Sequence, residues 1–167
     1  MIKSTPDTLE VQLTRGGVAI VDAADADLAS VRWAWSASGY ATRHGTMRHR
    51  IRTPQQWMHR IILGRMLGRA LERREYVDHI NHNKLDNTRA NLRLASMSQN
   101  IGNSKRSKRN QAGYKGVYFC KNVNRWRAKI CLNRHTYHLG LFDTPQEAHE
   151  AYCKAAQQLF GNFANFE

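Results

Sequence analysis

Residues 76–100 constrain the fold of this chain more than any other stretch, because polar residues recur there at fixed positions between two apolar segments. The pattern over 76–80 indicates a short strand, and 92–95 predicts a second strand after a polar, turn-rich loop. Ser96 fits the N-cap of a following helix that carries Asn100. A strand, a loop, a strand and a helix in this order can bring a carboxylate, an imidazole and two amides to one point.

This order of residues resembles the HNH nuclease family, and most closely its phage and intron-encoded homing branch. The matching residues are Asp78, His79, Asn87, Asn91-Leu92 and Asn100, with Met58-His59-Arg60 upstream. The resemblance implies a ββα-metal core that cuts DNA. It also implies a phage or mobile-element origin and action in the cytoplasm of a bacterial host. Many HNH enzymes use histidines as metal ligands at both ends of the motif, where this chain has Asp78 and Asn100.

The chemistry of phosphodiester hydrolysis explains these residue types. A histidine titrates near neutral pH, so His79 can take a proton from water as the general base. An amide oxygen of Asn91 can accept a hydrogen bond from the other ring nitrogen and so fix the imidazole tautomer. Asp78 and Asn100 both donate oxygen, which predicts one hard divalent ion per site, Mg²⁺ or Mn²⁺, rather than zinc. Any one of these residues alone is typical of a solvated loop.

The charge distribution points to a polyanionic partner. The net charge is +13, and no Asp or Glu occurs between Asn87 and Phe142. Such a one-signed stretch is expected of a nucleic-acid binder. A membrane-surface patch would require an amphipathic basic helix, whereas this stretch has the pattern of loop and strand. No apolar run reaches the length of a membrane span. The three cysteines are widely spaced, which fits reduced thiols in a cytosol rather than a zinc knuckle.

The first third of the chain predicts a small β-rich subdomain over residues 1–54. An alternating segment at 10–13 and an apolar run at 18–21 flank a glycine turn, which is typical of a hairpin. Trp33 and Trp35 fall on one face of a strand and are expected in the core. A further hairpin has a basic second arm over 47–52. A helix over 55–69 then opens the predicted nuclease core, residues 55–101, and we expect a structural role for His59.

Residues 102–112 are polar and basic and are predicted to be an extended linker. Residues 113–167 carry three strand patterns and a helix that begins at Asp143-Thr144-Pro145 with Glu147. This half resembles the APETALA2 or ethylene-response-factor DNA-binding domain. The matching segments are 114–117, 125–130, 138–144, 147–152 and 160–166. The resemblance implies a three-stranded antiparallel sheet backed by one helix, with the sheet laid in the major groove.

Alternation assigns the two faces of this sheet. Seven residues are expected to face the helix: Val117, Phe119, Trp126, Ala128, Ile130, Tyr137 and Leu139. The predicted DNA-binding residues lie on the other face, in its turn or in the linker, and are Arg106, Lys108, Arg109, Lys115, Tyr118, Arg127, Lys129, Arg134 and His138. His138 stands where the plant proteins have a tryptophan, so the resemblance predicts DNA binding without the plant target sequence.

Together these patterns predict an α+β protein in which a small β-unit leads into a ββα-metal core and then a three-stranded sheet on one helix. The predicted function is a site-selective, divalent-metal-dependent endonuclease of the homing type, acting as a monomer on double-stranded DNA with His79 as general base. The alternative is a sequence-specific DNA-binding regulator whose HNH unit is inactive. An RNA-binding structural protein is disfavoured, because no exposed aromatic platform is visible.

Overall fold

The protein was analysed as a computed structural model that describes residues 7–45, 47–48, 51–52 and 54–167. The chain divides into two compact units, one ending at Leu94 and the other beginning at Ala95. Both units combine strands with helices, so the α+β class predicted from the sequence is confirmed. The domain boundaries at 54/55, 101/102 and 112/113 stay predictions.

Short strands and one α-helix build the amino-terminal unit. The strands are β1 (Thr8–Thr14), β2 (Val18–Asp22), β3 (Trp33–Trp35), β4 (Ala41–Arg43), β5 (Met47–Arg48), β6 (Ile51–Arg52), β7 (Gln56–Trp57), β8 (Tyr76–His79) and β9 (Leu92–Ala95), and the helix is α1 (Met58–Leu67). Five strands form one sheet in the order β2-β1-β3-β4-β7, while β5 pairs with β6 and β8 with β9. His49 and Arg50, in the predicted basic arm, lie outside the described residues.

The predicted first hairpin is present. Strands β1 and β2 are antiparallel, with Val11 opposite Ala19, and Arg15, Gly16 and Gly17 in the turn all have positive φ. Helix α1 is shorter than predicted at its start. Gln56 and Trp57 instead pair with Arg43 and Thr42 of β4, which extends the sheet by one edge strand.

One hydrophobic core joins the five-stranded sheet to α1, β8 and β9. Its buried members are Val11, Leu13, Ala19, Val21, Leu28, Trp33, Ala41, Met58, Ile62, Leu63, Val77 and Leu92. Trp33 is 1% exposed, but Trp35 is 44% exposed. The prediction that both tryptophans lie in the core is therefore wrong for Trp35, which sits at the strand end where its ring lies over the backbone of Gly17.

The carboxy-terminal unit contains the predicted three-stranded sheet and its helix. Its elements are α2 (Met97–Asn103), β10 (Val117–Cys120), β11 (Arg125–Leu132), β12 (His135–Phe142) and α3 (Pro145–Phe160). The strand order is β10-β11-β12, and both pairings are antiparallel. Thr144 and Glu147 form the predicted capping box at the start of α3. Ala148, Tyr152, Ala156 and Phe160 form the buried side of that helix.

Strand register agrees with the predicted faces of this sheet. Val117 lies opposite Ala128, and Tyr118 opposite Arg127, so each pair shares one face. Val117 and Ala128 are fully buried. Phe119 and Tyr137 occupy helix-side register positions but are 45% and 49% exposed. The sheet is therefore wider than the area that α3 covers.

Residues 102–112 differ from the extended linker that their composition predicts. The backbone N–H of Arg106 donates to the Glu167 carbonyl at 3.0 Å. The side chain of Asn110 donates to the carbonyls of Tyr114 and Val117 at 2.8 and 3.1 Å. These polar residues therefore form hydrogen-bonded turns within the carboxy-terminal unit. Composition could not predict this, because it does not show which backbone carbonyls an asparagine amide reaches. Among the described residues, no helix combines the length and apolar character needed to cross a membrane.

Candidate functional site

The adjacent Asp78 and His79 end strand β8 and are 3% and 5% exposed. Directly after them, the N–H of Ile80 donates to the Asn91 carbonyl at 3.0 Å. This bond links the end of β8 to the residue that precedes β9. The loop between the strands therefore begins and ends next to His79.

Asn91 uses its side chain to hold that loop. Its Oδ1 accepts a hydrogen bond from the Asn81 N–H at 2.9 Å, and its Nδ2 donates to the Asp86 carbonyl at 2.7 Å. The carboxylate of Asp86 in turn accepts from the Asn81 amide at 2.7 Å. Asn91 is 7% exposed, so its own two side-chain bonds are partly shielded from water. Its catalytic role stays a prediction, and its observed bonds stabilise the loop.

Asn87 is the residue whose amide oxygen lies beside the imidazole, a position that the sequence analysis gave to Asn91. Asn87 is fully buried, and its Oδ1 lies 3.4 Å from His79 Nε2. Its Nδ2 donates to the Leu85 carbonyl at 3.1 Å, which fixes the orientation of the amide. An amide oxygen can only accept, so Nε2 carries the proton and the lone pair resides on Nδ1. Only the match of Asn87 to the HNH motif could have pointed to it from the sequence.

Burial keeps His79 neutral. It lowers the pKa of His79 below the ordinary value, although the bond to Asn87 and the nearby Asp78 carboxylate act in the opposite direction. An imidazole with a lowered pKa is unprotonated near neutral pH and can accept a proton. His79 therefore has the protonation state that a general base requires.

Two further side chains pack around His79. The ring of His59 meets the His79 ring edge to face, with centroids 5.4 Å apart, and Tyr40 lies 4.7 Å from His59 and 5.8 Å from His79. His59 is 8% exposed, and burial lowers its pKa to about 3. Among the described residues its Nδ1 has no hydrogen-bond partner. Lys84 adds a positive charge, with its Nζ 4.6 Å from the centre of the Tyr40 ring.

The two residues predicted to hold a metal ion, Asp78 and Asn100, lie in different surroundings. Asp78 Oδ2 accepts a hydrogen bond from Arg93 Nε at 2.7 Å. Asn100 lies in α2 of the carboxy-terminal unit, is partly exposed, and donates its backbone N–H to the Ser96 carbonyl. Over the described part of the chain, no group of three or more His, Cys, Asp or Glu side chains could hold a metal ion.

This donor set still fits Mg²⁺ or Mn²⁺. Magnesium in nucleic-acid enzymes is held by one or two carboxylates together with waters and substrate phosphates, so it does not need a cluster of acidic side chains. The buried Asp78 carboxylate supplies one hard oxygen, the kind of donor that these two ions prefer.

The predicted DNA-binding residues do not share one environment. Lys108, Arg109, Tyr118, Arg134 and His138 are exposed. Lys129 places its Nζ 4.3 Å from the centre of the Tyr118 ring, and Arg127 donates to the Cys120 sulfur at 3.4 Å. Arg106 donates a side-chain N–H to the Asn110 carbonyl.

Lys115 differs from the outward orientation predicted for it. It is partly buried, and its Nζ donates to the Gly102 carbonyl at 2.6 Å and to the Ser104 carbonyl. Burial lowers the pKa of Lys115 to about 8. Alternation could not foresee this, because Lys115 precedes β10 and its backbone is not part of the sheet.

Comparison with known proteins identifies two domains in this chain. Residues 56–101 match the HNH endonuclease family, and residues 112–162 match the AP2 domain. An uncharacterized HNH endonuclease of Acanthamoeba polyphaga mimivirus is 33% identical over 135 residues, which is 80% of this chain and 65% of that protein. Protein 3.8 of Escherichia phage T7 is 32% identical over 91 residues, which is 54% of this chain and 74% of that protein. No solved structure matches the chain. The chain therefore contains an HNH endonuclease domain over residues 56–101, followed by an AP2 domain over residues 112–162.

Proposed function

We propose that the protein is a site-selective, divalent-metal-dependent DNA endonuclease of the homing type. The observation that carries this proposal is the buried, neutral His79, which lies next to Asp78 at the end of β8 and has its tautomer fixed by Asn87. The viral source of both relatives supports a phage or viral origin. We expect the protein to act as a monomer on double-stranded DNA in the cytoplasm of a bacterial host.

In the proposed mechanism, His79 removes a proton from the attacking water through Nδ1, because Nε2 already donates to Asn87. Asn87 orients the ring, and the loop bonds of Asn91 hold Asn87 and its neighbours in place. Asp78 and Asn100 are the proposed ligands of Mg²⁺ or Mn²⁺. The ion, when bound, would stabilise the charge that develops on the phosphate and the leaving oxygen.

A supercoiled plasmid incubated with the protein and Mg²⁺ tests the activity and the base together. His79→Ala should slow cleavage by about 10²–10⁴-fold while leaving DNA affinity nearly unchanged. His44→Ala is the matched control, because His44 is an exposed histidine of the same unit. If His79→Ala cut at the wild-type rate, the general-base role would be wrong.

Metal removal tests the second part of the mechanism. EDTA should abolish cutting and added Mg²⁺ should restore it, while Asp78→Ala and Asn100→Ala should each raise the Mg²⁺ concentration that gives half-maximal rate. Cleavage that continued unchanged in EDTA would refute metal dependence. The role of His79 would then still be tested by the cleavage rate of His79→Ala.

For DNA recognition, we propose that the outer face of the three-stranded sheet contacts the duplex through Tyr118, Arg127, Lys129 and His138, with Arg134 in the adjoining turn. The exposed Lys108 and Arg109 would contact phosphates, as would Arg106, whereas the Lys115 ammonium already donates to the Gly102 and Ser104 carbonyls. Support comes from the absence of acidic residues between Asn87 and Phe142. A gel-shift titration on target and scrambled duplexes tests it.

One observation favours a second candidate function, a DNA-binding regulator without nuclease activity. The guanidinium of Arg93 occupies Asp78 Oδ2 at 2.7 Å, and a cation of the protein there competes with a metal ion for the same oxygen. The two functions predict different results in one assay. A regulator would bind the plasmid and leave it supercoiled in both Mg²⁺ and Mn²⁺.

A further inference from the structure

The HNH family match and the structural units of this chain do not end at the same residue. The match extends to residue 101, whereas the carboxy-terminal unit begins at Ala95. Helix α2, which carries Asn100, is therefore the last element of the HNH segment by sequence and the first helix of the AP2-containing unit by structure. Apart from its own capping box, α2 is held by residues outside the HNH match.

The first turn of α2 is bonded to the turn between β11 and β12. Ser98 is 8% exposed. Its Oγ donates to Asn133 Oδ1 at 2.8 Å and accepts from the Asn133 backbone N–H at 2.9 Å. Asn133 has φ +50°, a left-handed conformation that asparagine tolerates better than most residues. A single hydroxyl thus pairs reciprocally with one residue of the AP2 domain.

The last turn of α2 is held by three other parts of the same unit. A Cβ added to Gly102 would lie 2.7 Å from Phe160 Cγ, so this helix backbone packs directly on the ring. The Lys115 ammonium donates to the Gly102 carbonyl. Asn165 donates its backbone N–H to the Gly102 carbonyl at 3.2 Å and its side-chain amide to the Asn103 carbonyl at 3.1 Å. These bonds satisfy carbonyls that the end of a helix leaves without partners.

A helix of seven residues does not persist without such contacts. Isolated helices shorter than about 12–15 residues are marginal in water, and their stability in proteins comes from packing. The capping box of Ser96 and Gln99 supplies local support at the start. The remaining support comes from β11–β12, α3 and the carboxy-terminal tail.

We propose that the AP2 domain is a working part of the nuclease, in which Ser98 and Asn133 are positioning residues that set the orientation of the Asn100 side chain. The proposal rests on the proposed function, because it takes Asn100 as a ligand of the divalent ion. It assigns the AP2 domain a second role besides contact with DNA. The ion affinity of the HNH segment then depends on a turn about thirty residues beyond its end.

Equilibrium binding of Mn²⁺ in the presence of a DNA duplex tests this without relying on cleavage. The full-length chain with His79→Ala serves as the parent, and the electron paramagnetic resonance signal of free Mn²⁺ reports the bound fraction. Ser98→Ala removes both bonds to Asn133, and Asn133→Gly removes the side-chain acceptor while tolerating the positive φ. Each should weaken Mn²⁺ binding, Ser98→Ala by about tenfold, at the lower end of losses seen when groups behind a ligand are removed.

Two controls separate positioning from stability. Ser98→Thr keeps a hydroxyl and should restore Mn²⁺ affinity. Ser104→Ala removes a hydroxyl that bonds to the Ile101 carbonyl at the other end of α2, and Mn²⁺ affinity should not change. Circular dichroism and DNA affinity should match the parent in all four variants. Hydrogen exchange of the α2 amides should accelerate in Ser98→Ala and not in Ser98→Thr.

The outcomes discriminate between this proposal and the function on which it rests. Ser98→Ala and Asn133→Gly proteins that are folded and bind Mn²⁺ as tightly as the parent would overturn the positioning role and leave the nuclease proposal intact. A wild-type chain that cuts no DNA and a parent that binds no Mn²⁺ would overturn both. Weakened Mn²⁺ binding that Ser98→Thr restores would support the proposal.

Discussion

Replacing Asn87 by aspartate should shift the pH dependence of cleavage, because the new carboxylate would face His79. Asn87 Oδ1 lies 3.4 Å from Nε2 and is fully buried. At that separation and an effective dielectric constant of 20, Coulomb's law gives about 5 kcal/mol between unit charges. The cost of burying the carboxylate opposes this. Because a carboxylate beside an imidazolium stabilises its positive charge, we expect the pKa of His79 to rise.

The sign of the effect on rate follows from the role of the base. Burial holds the pKa of wild-type His79 below its ordinary value, so the unprotonated imidazole predominates at pH 7 and the acid limb of the rate profile lies at lower pH. In Asn87→Asp the protonated form persists to higher pH. Cleavage at pH 7 should therefore be slower relative to pH 9 in Asn87→Asp than in wild type.

Single-turnover cleavage of a labelled duplex between pH 5 and pH 9 measures this shift. Asn83→Asp is the matched control, because it adds the same charge to an exposed position of the same loop. Circular dichroism is needed beside the rates, since the aspartate also loses the donor that Asn87 gives to the Leu85 carbonyl. Acid limbs at the same pH in wild type and a folded Asn87→Asp would refute the assigned contact or the role of His79.

Three further predictions concern stability and binding. Asp25→Ala should destabilise the amino-terminal unit by about 3 kcal/mol in urea unfolding, because the fully buried Asp25 carboxylate bonds two arginines. Burial would raise the pKa of Asp25, but the two arginines outweigh burial and lower that pKa. The stabilisation is therefore present above the unfolded-state pKa of 3.8 and is lost as pH falls through the folded-state pKa. Equal acid sensitivity of Asp25→Ala and wild type would contradict this. Gly116→Ala should cost about 1–3 kcal/mol, because φ is +75° and the new Cβ would lie 2.8 Å from the Lys129 carbonyl oxygen; a melting curve like wild type would show that the backbone can move. Arg127→Ala should lower the salt dependence of DNA binding by about one counterion if it contacts phosphate, whereas loss of preference at one base pair would indicate a base contact.

Two sequence features predicted most of the carboxy-terminal unit: the alternation of side chains along its strands and the capping residues of α3. A period of two assigns faces without knowledge of the partner element, which is why the faces of Tyr118 and Arg127 agree with the register. The exposure of Phe119 could not be predicted, because it depends on how far α3 extends over the sheet. The burial of Lys115 depends on carbonyls that lie more than ten residues away.

The candidate site was predictable to the level of its motif and no further. Adjacent Asp78 and His79 are identified by residue type and spacing. The choice between Asn87 and Asn91 as the neighbour of the imidazole depends on which way each amide turns in an irregular loop. No periodicity governs a loop of this kind, so only its hydrogen bonds decide between the two residues.

The amino-terminal sheet gains a role from the bonds that it makes to this loop. Ile20 of β2 accepts from the Asn87 N–H at 2.8 Å and donates to the Leu85 carbonyl at 2.8 Å, so the loop continues the sheet beyond β2. The Arg89 N–H donates to Asp22 at 2.6 Å, and its side chain bonds Asp25. These contacts fix the backbone on both sides of Asn87, whose side chain sets the tautomer of His79. A sheet that the sequence presents as a separate subdomain is thereby bonded to the loop that positions the proposed general base.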